Sequence, residues 1–149
     1  MKIKTENFGE VTVNEEKVIE FKQGILGFEH LHRYILMEDE DENCPFVYLQ
    51  SIEDLNICFI LASPQSIMKE YTISIGENYF QQLGGGPDED FAVVLIVTIP
   101  EKIQEATVNL LAPLLIQKNT KKGMQIVLER TEYTVRHSLM ELMVEKEAD

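Results

Sequence analysis

Phe91-Ala92-Val93-Val94-Leu95-Ile96-Val97-Thr98-Ile99 is the stretch on which the fold turns. It is apolar at odd and even positions alike, and it is β-branched at Val93, Val94, Ile96, Val97, Thr98 and Ile99. A run this short falls well below the ~20 residues that span a bilayer. Apolar character on both parities reads instead as a strand buried on two faces, in the middle of the fold. Leu110 to Ile116 has the same character and gets the same reading.

On either side lie further strand-sized runs separated by turn residues. Val11 and Val13, then Val18 with Ile19 and Phe21, alternate in face; Tyr34-Ile35-Leu36-Met37 follows a turn region marked by Gly24 and Gly27. Next come Phe46 to Leu49, Ile57 to Ala62, and Tyr71-Thr72-Ile73-Ser74-Ile75. Met124, Ile126 and Leu128 mark a last major strand with one wetter face. Helical spacing is rarer. Tyr79, Phe80 and Leu83 share a face between Gly76 and the Gly84-Gly85-Gly86-Pro87 break, which suits a two-turn helix. Val135, Leu139, Leu142 and Met143 fall at i, i+4, i+7 and i+8, so the C-terminus is either a helix or a frayed end. The pattern predicts a mostly β single domain, a barrel or sandwich with one or two short capping helices. Residues 1–137 form the β domain and 138–149 a helical or frayed tail.

Composition bounds the function. At 149 residues, with 44% hydrophobic and 26% charged content, the chain can bury roughly 68–70% of its unfolded surface and needs no cross-link. Thirteen Lys and Arg against 26 Asp and Glu leave a net charge of -13. Because nucleic acid affinity comes largely from cations that displace condensed counterions, direct RNA or DNA binding is disfavoured, as is an anionic membrane. The only two cysteines, Cys44 and Cys58, have neither CxxC nor zinc-ligand spacing, and the N-terminus has no apolar signal segment. These features point to a cytoplasmic protein with reduced thiols.

Candidate chemistry is sparse. Glu38-Asp39-Glu40-Asp41-Glu42 places Asp39, Asp41 and Asn43 at calcium-loop positions 1, 3 and 5, but Cys44 replaces the required glycine and Gln50 the bidentate glutamate. The run is therefore read as a solvated loop or as a docking surface for a basic partner. His30 and His32 would face the same way on a strand, and with the acidic run they frame the competing reading, a metal-assisted hydrolase. No Gly-x-Ser-x-Gly elbow or phosphate-holding glycine loop is present. Neither enzyme activity nor any metal or cofactor is expected. Asn109, set among apolar residues, must be bonded internally or face a partner. Phe46 adjoins the acidic run and is either a partner anchor or a core residue. The paired glycines and phenylalanines of Phe21-Lys22-Gln23-Gly24-Ile25-Leu26-Gly27-Phe28 suit a sharp turn pinned to a core.

That last stretch resembles the flagellar assembly factor FliW family. So do Pro45-Phe46 with Leu49-Gln50-Ser51, Val97-Thr98, Thr107-Val108-Asn109-Leu110 with Ala112-Pro113, and Gly123 with Gln125-Ile126-Val127-Leu128, all in the family's order. The resemblance implies a barrel-like, non-enzymatic domain with two protein partners, flagellin and the RNA-binding translational regulator CsrA. In that picture flagellin occupies the protein until export, and the freed protein then keeps CsrA off flagellin messenger RNA. A monomer is expected, with Asp39, Asp41, Phe46 and Asn109 as candidate partner-binding residues.

Overall fold

A computed structural model describes residues 1–6, 8–129 and 131–148. Asp149, the last residue of the expected tail, lies outside them. The strands are β1 (Lys2–Thr5), β2 (Gly9–Thr12), β3 (Ile19–Phe21), β4 (Arg33–Glu38), β5 (Phe46–Ser51), β6 (Cys58–Ala62), β7 (Phe91–Thr98), β8 (Thr107–Val108), β9 (Leu114–Gln117), β10 (Lys122–Gln125) and β11 (His137–Ser138). Three α-helices, α1 (Pro64–Ile67), α2 (Glu77–Gln82) and α3 (Leu139–Glu147), and three single-turn 3-10 helices at Glu15–Lys17, Asp88–Asp90 and Ile103–Glu105 complete the described elements. Seven strands close on themselves in the order β7-β6-β5-β4-β3-β10-β9 and back to β7, so the domain is a barrel. Within that ring β3 and β10 alone run parallel. The β1–β2 hairpin forms a separate sheet, and β8 and β11 extend the main one beyond β7.

The double apolar parity of β7 has a direct structural cause. Val94 and Ile96 point into the barrel, where Ile19, Phe21, Tyr34, Leu49, Leu61, Leu114 and Ile116 form the interior. Phe91 and Val93 point outward onto a cluster with Tyr79 and Phe80 of α2, while Leu95 and Val97 lie beneath Ile67 of α1 and Leu139 of α3. Each such side chain, fully buried, stabilises the fold by ~1.5–3 kcal/mol. The strand also divides its hydrogen bonding: Phe91 to Val94 pair with Gln117 to Leu114, and Leu95 to Val97 with Ala62 to Ile60. It is the hinge of closure.

One end of the barrel is plugged by the Phe21–Phe28 hook. Gly24 has φ +73°, and a Cβ there would stand 2.6 Å from the Cα of Glu29; Gly27 has φ +89°. The turn drives Ile25 into the interior, where it is 1% exposed, and sets Phe28 edge-to-face on Phe59 with centroids 5.2 Å apart. Gln125 ties the hook down by accepting from Leu26 N–H (2.9 Å) and donating to the Ala112 carbonyl (3.2 Å).

Several elements differ from expectation. Tyr71 to Ile75 is extended but is not a ladder strand. Within Leu110 to Ile116 the strand begins only at Leu114, because Asn109 folds the preceding backbone into a turn and Pro113 offers no N–H. Past β10 the alternation continues without formal ladder pairing, as Ile126 and Leu128 donate to the carbonyls of Pro113 and Leu111. β1 and the single-turn α1 had no clear local signal. The C-terminal helix starts at Leu139, since the Ser138 hydroxyl caps it by accepting from Glu141 N–H (3.2 Å), and Val135 is left outside it. Leu139 is buried, and Leu142 and Met143 pack on the same cluster.

Candidate functional site

The acidic run forms the connection between β4 and β5, two strands paired from Tyr34↔Ser51 to Glu38↔Val47. Short aspartates shape it. Asp39 accepts from Asp41 N–H and Asp41 from Asn43 N–H, each at 2.9 Å, while both remain exposed. These local bonds fold the loop around two carboxylates that stay solvent-accessible, where they contribute to long-range attraction of cations. Beneath them, Tyr48 donates its hydroxyl to Asp39 at 3.3 Å and stacks edge-to-face on Phe8, with centroids 5.2 Å apart. Desolvation, followed by nearby Cys44 and Asp39, pushes the Tyr48 phenol up to about 12, so it stays a neutral donor.

Phe46 opens β5 opposite Ala62 and packs, half-buried, against the cluster under α1 and α3. It combines core contact with remaining surface. Asn109 accepts from the N–H groups of Leu111 (3.1 Å) and Ala112 (3.0 Å), and its own N–H goes to the Ile96 carbonyl (2.9 Å). Its side-chain oxygen therefore serves the fold. It follows β8, three ladder steps from β5, or on the order of 14 Å along the sheet. Asp39, Asp41 and Phe46 thus share one connection, and Asn109 belongs to another. Tyr48 and Phe8 are additions to the candidate set. Tyr48 could have been found, because it lies two positions from Phe46 on an alternating strand; the contact of Phe8 depends on how the β1–β2 hairpin docks.

The histidines do not form the constellation considered for hydrolysis. His30 sits in the turn before β4 and is not on a strand, and the ring of His32 is bonded through Nδ1 to the Phe21 carbonyl at 3.0 Å. Among the described residues no three His, Cys, Asp or Glu side chains converge as metal ligands do. Nearby, Glu53 accepts from the backbone N–H groups of His32 (2.5 Å) and Arg33 (2.9 Å), and the first of these bonds chiefly holds its carboxyl below the ordinary range. That is a structural role, joining the β5–β6 turn to the start of β4. A cleft of about 270 Å³ lined by Glu20, Lys22, Leu83, Lys122 and Met124 lies over the β3–β10 pair, not at the acidic connection. Among the described residues no helix is long and apolar enough to cross a membrane.

The closed seven-stranded ring with its short outer helices places the chain in the class of small β-barrel proteins. Comparison with known proteins makes this specific. The family profile described as FliW protein matches residues 2–139. A relative from Caldanaerobacter subterraneus subsp. tengcongensis, named flagellar assembly factor FliW, is 40% identical over 141 residues, covering 95% of this chain and 94% of its own. Another of that name from Clostridium novyi is 42% identical over 139 residues, covering 93% and 96%. A crystal structure of the flagellar assembly factor FliW superposes with a TM-score of 0.85 at 31% identity, covering 93% of this chain and 96% of the other. The chain belongs to the FliW family.

Proposed function

We propose that this chain is a cytoplasmic flagellar assembly factor that acts by binding proteins and not by catalysis. It holds flagellin and, once free of it, binds CsrA and keeps that regulator off flagellin messenger RNA, so that translation follows secretion. Membership of a family of flagellar assembly factors supports the choice of flagellar partners. The observation that supports the physical side is the β4–β5 connection, with Asp39 and Asp41 exposed and Asp39 bonded to Tyr48, which stacks on Phe8, on a chain of net charge -13. An RNA-binding protein presents basic surface, and complementary acidity steers encounter toward ~10⁸–10⁹ M⁻¹s⁻¹ at low salt while aromatic contacts set how long the complex lasts. Acidity also repels RNA from a neighbouring site.

Calorimetric titration of CsrA into the protein, with and without saturating flagellin, tests the switch. Flagellin should weaken CsrA binding, and linkage requires CsrA to weaken flagellin by the same factor. An affinity for CsrA that flagellin leaves unchanged would refute switching.

A further inference from the structure

Residues 68–76, between α1 and α2, cross the outside of the barrel as an extended strap. From Tyr71 to Gly76 the exposure alternates: Tyr71, Ile73 and Ile75 are half-buried, and Thr72, Ser74 and Gly76 are exposed. Two tyrosine hydroxyls tie the strap down at its Tyr71–Thr72 end. Tyr71 donates its hydroxyl to the Leu110 carbonyl at 2.6 Å, and Thr72 N–H donates to the Tyr133 hydroxyl at 3.0 Å. From Ile73 to Ile75 no described group pairs with the backbone, although the residues are those of a strand. A backbone held extended, with its alternate side chains seated and its N–H and C=O groups open, is a template for another strand.

Space for such a strand lies alongside. Two adjoining hollows lie along the strap between Glu70 and Ser74; Thr72 and Thr131 border both, and their facing walls are Leu128, Glu129, Thr131, Glu132 and Tyr133. Glu70, Glu129 and Glu132 give them their charge. Among the described residues that line them, no Lys or Arg offsets these three carboxylates. A second copy of this chain would bring the same carboxylates and a further net charge of -13. We infer that the strap accepts an extended basic segment of a partner protein as an added strand, paired to the backbone around Ser74, with lysine or arginine side chains reaching Glu129 and Glu132. This does not rest on the assignment of CsrA or flagellin, which calorimetry with those proteins tests separately.

The probe is the peptide Lys-Val-Lys-Val-Lys-Val-Lys, compared with Lys-Pro-Lys-Pro-Lys-Pro-Lys, which has equal charge but lacks alternate N–H donors. The valine peptide should bind at least about tenfold more tightly, the worth of roughly one to two net hydrogen bonds. Hydrogen exchange at Ser74 and Ile75 should slow by about tenfold or more in its complex, and the double variant Glu129→Gln, Glu132→Gln should lose most of the affinity while staying folded. Equal binding of the two peptides, or binding without protection at Ser74 and Ile75, would overturn the proposal. So would a concentration-dependent dimer, seen by light scattering, that protects the same amides, because the strap would then serve a second copy.

Discussion

At the scale of single residues, Gly123 measures how tightly the barrel is filled. A Cβ at that position would lie 2.5 Å from Cζ of Phe21, a ring that is itself wholly buried. Gly123 has no positive φ to preserve, so the demand is for space. Gly123→Ala should therefore cost about 1–3 kcal/mol by overpacking, read as a lower urea midpoint with unchanged slope. The slope separates lost packing from a changed denatured state. Residue roles were legible in the sequence where chemistry left few choices. Paired glycines and phenylalanines announced the Phe21–Phe28 hook, and a buried amide required a partner at Asn109, which the turn to Leu111 and Ala112 supplies. Phe8 left no such trace, since its contact with Tyr48 is made only after the N-terminal hairpin docks on β4.

Among elements, β7 was readable because burial on two faces leaves a double parity in the sequence itself. Tyr71 to Ile75 carries an equally clean alternation and is no ladder strand. Alternation records which side chains are covered, whereas a ladder needs a neighbour at the right edge, and no local pattern encodes that. The β4–β5 connection yields a kinetic prediction. Asp39→Asn with Asp41→Asn should mainly slow CsrA association and reduce its salt dependence, because exposed charges act over a Debye length of about 8 Å at physiological salt. Tyr48→Phe should leave that rate alone, since it removes a hydroxyl and no charge. Phe46→Ala should speed dissociation and also lower the melting temperature, because the ring packs against the cluster of Ala62 and Ile67. Surface plasmon resonance with thermal melts reads both effects; unchanged rates in folded variants would move the CsrA contact to another face.

For the whole molecule, the net charge of -13 sets a test of the proposed function, since acidity favours a basic protein partner over RNA itself. In a gel shift the protein alone should leave RNA unshifted and should release RNA from the CsrA complex; a direct shift would remove this reading. Of the global architecture, periodicity made the β content legible but left barrel and sandwich both open; the family resemblance pointed to a barrel, and the closed ring bears that out. The deciding contact joins β3 to β10 through Glu20↔Lys122 and Phe21↔Gly123, roughly a hundred residues apart, and no window of sequence spans it. The same contact sets a waiting time during synthesis. At ~5–20 residues per second, on the order of 5–20 s pass between the emergence of β3 and that of the strand that covers its edge. Until then a nascent chain carries a raw edge that other chains could pair with. That edge is only Ile19-Glu20-Phe21, and Lys17, Glu20 and Lys22 set charge in and around it. The brevity and charge of β3 are thus a safeguard for the interval on the ribosome, when the barrel is still an open sheet.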